Sequence, residues 1–333
     1  MVDNLEISGI LEHFGLSFQN LTKVYDTSRD ENDIRFHYIL DDRYVLKVAS
    51  VHTMWEERLQ EISRLIDRYR AIGVYCPRML PTLSGPLSCH WGKDGKDYTC
   101  YVEEFAIYPT FEWEEEHDEK EVVEHLGILA ARYSGVDLSQ TRSMWSIIDL
   151  APLDVDIDEK QENANTLVDA LCQNGYQKLA KRLNDFNHML REQILRVFHD
   201  LPRCVFQGDL NNSNELHDGG HFVGLIDFNL SGTDVNINVF LCETAWFPEE
   251  DSFDRMSVPE IIARMDSVQA EYLSVIFRHY TMNDTERLAF PYYQRIVNLF
   301  QYPHVCEMVK WLREDNRRNK CAELIQALME KPL

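Results

Sequence analysis

Through most of its last two thirds the chain repeats apolar residues at helical spacing, but one stretch breaks that period. RCVFQG (203–208) and HFVGLIDF (221–228) are short, β-rich apolar runs. They bracket a polar segment, DLNNSNELHDGG (209–220), whose Asp-Gly-Gly is a turn signal. A hairpin built this way collects three polar side chains at one end. Asp209 opens the loop after the first run, Asn214 lies five residues on, and Asp227 ends the second run. Either half alone says little, because Asp and Asn in turns commonly bond only backbone amides. The two halves together, in strand context, point to a site.

The rest of the chain supplies a frame for it. LTKVYDTS (21–28), IRFHYILDD (34–42) and RYVLKVAS (43–50) read as strands of an antiparallel meander, the last two joined at Asp41-Asp42-Arg43. From Met54 to about Ala71, Leu59, Ile62, Leu65, Ile66 and Tyr69 share one helical face, ending at Gly73, and this helix is expected to pack on the sheet. DYTCYVEEFA (97–106) is a further strand, and its exit at Ile107–Thr110 is the expected lobe boundary. Beyond it the period is helical at 120–133, 166–172, 176–201, 259–279, 284–299 and from 305 onward. The acidic stretches at 112–124 and 154–165 read as solvated helix starts or loops. The expectation is an α+β fold of two lobes: residues 1–106, a small antiparallel sheet with one helix, and residues 107–333, mainly helical and carrying the loop at 203–230.

Charge narrows the partners. With 33 Lys and Arg against 56 Asp and Glu, the net charge of -23 repels nucleic acid and anionic lipid surfaces, so neither is an expected partner. Such a charge serves solubility, and alternatively an acidic cleft that attracts a cationic small molecule. The acidic Glu243, Glu249, Glu250 and Asp251, with Trp246 and Phe247, are candidates to hold an ammonium group by charge and cation-π contact, and read equally as a solvated loop. The eight cysteines form no Cys-x-x-Cys pair, which argues for reduced, inert thiols, Cys204 included. His217 and His221 flank the turn as exposed residues. The acidic N-terminus is unlike a signal peptide, and no run of about 18 apolar residues occurs. A cytoplasmic monomer or homodimer is expected.

At the loop the sequence resembles the aminoglycoside phosphotransferase/choline kinase family, which has a protein-kinase-like fold. That family reads His-Gly-Asp-x4-Asn followed by Ile-Asp-Phe/Trp-Glu/Asp. Here the corresponding residues are Gln207-Gly208-Asp209-Leu210-Asn211-Asn212-Ser213-Asn214 and Ile226-Asp227-Phe228-Asn229. The resemblance covers roughly residues 20–245. It implies ATP-dependent transfer of a phosphoryl group to a small-molecule hydroxyl, with Asp209 as catalytic base and Asn214 and Asp227 as Mg²⁺ ligands. The acceptor classes it suggests are an amino alcohol, an aminoglycoside, a sugar or a hydroxyl amino acid.

It further implies that Lys47, in YVLKVAS, contacts the ATP phosphates and is held by a helix glutamate, Glu61, with Glu57 as the alternative. A strand lysine is costly to bury unless a phosphate or carboxylate pairs with it. Ser28 and Asn32 fall in the phosphate-covering loop, which is acidic here where the family is rich in Gly and Ser. Adenine would bond backbone between Glu103 and Ala106, with Phe105 or Tyr101 beside the base.

Three positions depart from the family: Gln207 for His, Asn229 for an acid, and Asn238 for the Asp that buttresses the loop. These amides keep open a second reading, a nucleotide-binding regulatory module without turnover. A protein kinase is disfavoured, since no Ala-Pro-Glu element follows residue 230. Neither a Gly-x-Ser-x-Gly elbow nor a Walker A loop occurs.

Overall fold

The computed structural model describes residues 2–93, 95–110, 119–151 and 156–332. Residues 112–118 and 154–155 of the two acidic stretches lie outside them. In chain order the elements are α1 (Asn4–Glu12), β1 (Leu21–Asp26), β2 (Arg35–Leu40), β3 (Tyr44–Ser50), α2 (Glu56–Ala71), β4 (Met79–Leu80), β5 (Ser88–Lys93) and β6 (Lys96–Glu104). There follow α3 (Glu119–Tyr133), α4 (Glu159–Gln173), α5 (Gln177–Leu195), β7 (Arg203–Phe206), β8 (Glu215–Asp218), β9 (His221–Leu225) and β10 (Gly232–Val235). The chain ends in α6 (Asn236–Glu243), α7 (Glu250–Arg255), α8 (Val258–Ile276), α9 (Asp284–Phe300), α10 (Tyr302–Arg313) and α11 (Arg318–Glu330). Contacts divide it into two units, Met1–His117 with Asp209–Asn229, and Asp118–Gly208 with Leu230–Leu333. Residues 209–229, assigned from sequence to the later lobe, share their contacts with the first unit.

In the first unit the expected meander forms a sheet of order β1-β2-β3-β6-β4, with β5 also paired to β6. Left-handed backbone at Asp41 and Asp42 (φ 53° and 51°) reverses the chain between β2 and β3, a conformation that Asp tolerates better than most residues. The helix clustered with one sheet face is one the sequence reading passed over, α1. Its Ile7, Ile10 and Leu11 pack with Tyr38, Leu40, Leu46, Val48 and Val102. Asp3 and Glu6 close a capping box at its start. Nine residues give too few turns for the period to stand out. On α2, the expected apolar face, Leu59 through Tyr69, is buried.

The stretch at 203–230 folds differently from the expected single hairpin. β7 pairs antiparallel with β10, and β9 pairs with β8, whose ELHD pattern carries no apolar run to announce a strand. Tertiary burial makes β8 what it is: Glu215, Leu216 and His217 are all buried. His217, expected at an exposed turn, is 4% exposed and its ring meets Phe222 edge-on, whereas His221 is exposed.

In the second unit α4 packs on α5 and α10, α9 on α5 and α6, and α3 on α8. The helix expected from 305 to the C-terminus is two, α10 and α11, broken over Glu314–Arg317, where a charged, Asn-containing stretch lacks apolar anchors. Among the described residues no helix is long and apolar enough to cross a membrane.

Candidate active site

Two backbone positions that few residues tolerate set up the loop chemistry. Gly208, immediately before Asp209, has φ +83°, and a Cβ there would lie 2.4 Å from the Leu230 carbonyl oxygen. Only glycine allows that approach. Asp227 is itself left-handed at φ 52°, strain of the kind that clusters at functional sites. The Ile226 amide donates to the Asn214 carbonyl (2.9 Å), so the residue before Asp227 is tied to the end of the Asp209–Asn214 loop.

Within that loop, Asn214 Nδ2 donates to the carboxylate (2.9 Å) and the carbonyl (3.0 Å) of Asp209, and Asn211 Nδ2 donates to the other carboxylate oxygen (2.9 Å). Burial pushes the Asp209 carboxyl above its ordinary pKa; the Asn211 bond pulls it down, the Asp227 charge pushes it up, and the Asn214 bond pulls it down, with a net rise. A raised carboxylate held by two amides is oriented and more basic than a free one, which suits proton abstraction.

Lys47 stands where expected, on β3, and is 5% exposed. Its Nζ lies 3.0 Å from Glu103 Oε2 and 3.8 Å from Asp227 Oδ1, and 5.9 Å from the centre of the Tyr101 ring. Burial disfavours its charge, but Glu103 and then Asp227 outweigh that and raise its pKa. The carboxylate beside it therefore comes from β6, one strand over, and not from the helix. Register explains this: Lys47 faces Tyr101 across the β3–β6 ladder, so Glu103, two residues on, projects from the same face. Glu61 is buried on α2 and pairs with Arg58 (3.7 Å).

Arg58 has a second task, donating from Nη2 to the Asn229 carbonyl (3.1 Å), while Tyr69 meets Phe228 edge-on at 5.7 Å. α2 thus grips the two residues after Asp227. Burial lowers the Arg58 pKa to about 10. Tyr75, just past α2, exchanges strand-like bonds with Val223 and Leu225, and a Cβ on Gly224 would lie 2.1 Å from the Tyr75 carbonyl oxygen.

The covering loop is braced from within. Ser28 Oγ accepts from the Arg35 amide (2.9 Å), and the Ser28 amide donates to Asp26 (3.0 Å). The Asn32 and Asp33 amides donate to Asp30 (2.7 and 3.1 Å), and Asn32 itself is exposed. Next to the last strand, the Phe105 amide donates to Arg43 O (2.9 Å) and the Glu104 amide to Arg78 O (2.9 Å). The structure thus gathers Lys47, Glu103 and Asp227, and separately Asp209, Asn211 and Asn214. It engages Glu61, Ser28 and Phe105 in other local bonds.

In the second unit a buried network holds the base of the loop. Trp145 Nε1 donates to the Gly208 carbonyl, and Asn238 Nδ2 donates to the Trp145 carbonyl (2.9 Å) and to Asp234 Oδ2 (3.0 Å). Asp234 is 3% exposed and burial pushes its pKa up to about 6. A buried acid thus lies four residues before Asn238 and accepts from its amide. Its signal was legible: Asp234 is the one charged residue between Phe228 and Cys242. Three of the side chains considered for an ammonium group, Glu250, Phe247 and Trp246, have other partners. Glu250 pairs with Lys310 (2.6 Å) and Arg317 (2.8 Å), Phe247 stacks on His304 (4.5 Å) and Trp311 (5.6 Å), and Arg264 sits 6.0 Å over Trp246.

The antiparallel sheet, the mainly helical remainder and the paired Asp loops define a protein-kinase-like architecture of the phosphotransferase type. The sequence profile of the phosphotransferase enzyme family (APH) matches residues 28–236, and the chain belongs to that family. Solved structures agree on the fold. An amicoumacin kinase in complex with AMP-PNP, Ca2+ and Ami is 12% identical with TM-score 0.52, covering 94% of this chain and 90% of its own. A microcompartment-associated aminopropanol kinase is 12% identical with TM-score 0.51, covering 98% and 95%. An aminoglycoside phosphotransferase from Alicyclobacillus acidocaldarius is 16% identical with TM-score 0.51, covering 97% and 95%. No match was found among curated proteins.

Proposed function

We propose that the protein is an ATP-dependent kinase of a small-molecule hydroxyl, with Asp209 as its base. The observation that carries this reading is the Asp209–Asn211–Asn214 constellation, whose loop end is tied to Asp227, itself beside the buried Lys47. Asp209, raised and oriented by two amides, accepts the hydroxyl proton. Lys47 supplies buried positive charge for phosphate oxygens.

For the metal, Asn214 and Asp227 are the fitting donors. Asn214 spends its amide nitrogen on Asp209, which leaves its oxygen for a cation. Among the described residues no three His, Cys, Asp or Glu side chains form a cage. That suits Mg²⁺, which takes one or two carboxylates and completes its shell with phosphates and water. When bound, Mg²⁺ neutralises charge on the phosphates.

The acceptor classes remain amino alcohols, aminoglycosides, sugars and hydroxyl amino acids; relatives of this fold include an aminopropanol kinase and aminoglycoside phosphotransferases. The test is thermal unfolding with ATP and Mg²⁺ on wild type and Asp227→Ala, followed by phosphate transfer across that acceptor panel. Stabilisation lost in Asp227→Ala, and transfer lost in Asp209→Ala, is the expected result. No nucleotide effect on the wild type would sink the assignment. A second reading has its own support: Lys47 already meets two carboxylates and the covering loop spends its amides internally. Binding without transfer to any acceptor would favour that reading, a nucleotide-binding regulatory module.

A further inference from the structure

The loop between β1 and β2 has few amides left to offer a phosphate. The amides of Ser28, Asn32 and Asp33 donate to the carboxylates of Asp26 and Asp30; that of Arg29 donates to Asp33 O, that of Ile34 to Ser50 Oγ and that of Arg35 to Ser28 Oγ. Lys96 Nζ further holds the Glu31 carbonyl (2.8 Å). Anion-binding nests need such amides pointing at the ligand. The carboxylates that bind them here would repel a phosphate as well.

The sheet beneath offers a replacement. Antiparallel register puts His37 opposite Lys47, and Lys47 opposite Tyr101. Strand alternation then puts Arg35 on the same face, two residues from His37. Arg35 and Lys47 both act electrostatically on His37 and on Tyr101, as does Asp227, so these groups share one field. His37 adds no charge, since burial, then Lys47, lowers its pKa to about 4. Arg35 presents its planar fork to Asp33, Nε to Oδ1 (2.7 Å) and Nη2 to Oδ2 (2.8 Å). A phosphate offers the same pair of oxygens to the same fork. Lys47 alone is a weak phosphate anchor, since any anion reaching it also meets Glu103 and Asp227.

We propose that Arg35 is a second phosphate-binding residue for the nucleoside triphosphate, exchanging Asp33 for phosphate oxygens while Asp33 occupies the fork in its absence. This rests on the kinase reading and adds to it the side chain that substitutes for the loop amides.

The test is equilibrium binding of adenosine and of ATP with Mg²⁺, by calorimetry on the full chain, for wild type, Arg35→Gln, Arg35→Lys and Asp33→Asn. Wild type is measured first: failure to bind ATP overturns the kinase reading itself. Given binding, Arg35→Gln should lose about tenfold in ATP affinity with adenosine affinity unchanged, and Arg35→Lys, which keeps the charge without the fork, a few-fold. Asp33→Asn should keep the wild-type ratio of ATP to adenosine affinity or raise it. An unchanged ratio in both Arg35 variants overturns the proposal. So does a loss in Asp33→Asn equal to that in Arg35→Gln, because Arg35 would then act only as a brace for the loop. Unchanged adenosine affinity certifies that each variant is folded; if Arg35→Gln does not fold, Arg35→Lys decides.

Discussion

Asp209 is pulled two ways by one environment. Burial raises its pKa, yet the role proposed for it, a base, requires it to be ionised. The acid limb of the pH–rate profile should therefore lie above the range of an exposed aspartate, and Asp209→Asn should lower kcat by roughly 10²–10⁴-fold. Stability moves the other way. The folded state holds the Asp209 proton more tightly than the unfolded chain, so its contribution is present at low pH and lost as pH rises through the raised value. Asp209→Asn should then unfold at an equal or higher temperature than wild type at neutral pH; a clear drop in Tm would count against the burial account. Lys47 gives a second prediction at this scale. Removing one partner of a buried ion pair costs about 3 kcal/mol, and here Asp227 remains at 3.8 Å to soften the loss. Glu103→Gln should thus lose up to about 3 kcal/mol in urea unfolding, and a variant as stable as wild type would show that the pair holds nothing. Lys47 was legible because it is a lone cation in an apolar strand run; Glu103 was not, because a partner across a ladder depends on which strand arrives next.

Among elements, the turn from β10 into α6 matters most. Asp234 is the last but one residue of β10 and Asn238 lies one helical turn on, so one face of the junction reaches both Trp145 and, through its indole, the Gly208 carbonyl. The Asp234 pKa, raised by burial from 3.8 to about 6, means that its stabilising contribution is complete at low pH and lost as pH rises through about 6. Asp234→Asn keeps an acceptor without the charge. Its stability relative to wild type should grow between pH 5 and pH 7.5, by about 1.4 kcal/mol, and a difference flat with pH in urea unfolding would refute this. At this scale the sequence was read well where a period was long or a turn chemical, as in α2 and the β2–β3 turn. It was read poorly for α1, β4 and β8, each too short or too polar for periodicity to show.

For the whole molecule the governing quantity is the net charge of -23. Self-repulsion opposes compaction, and salt screens it, the Debye length falling from about 30 Å at 0.01 M to about 8 Å at 0.15 M. The melting temperature should therefore rise over that range in scanning fluorimetry. A fall would mean that ion pairs such as Arg317 with Glu250 and Asp254 outweigh the repulsion. By itself the sequence determined the small sheet with Lys47 on its third strand and the spacing of Asp209, Asn214 and Asp227. Those features follow from local period, turn residues and neighbours a few positions apart. Only the tertiary structure decided that β7 pairs with β10, that 209–229 belongs by contacts with the first unit, that Glu103 meets Lys47 and that Trp145 meets both Asn238 and Gly208. Each of these is a choice of partner between segments far apart in the chain, and burial and register make that choice jointly.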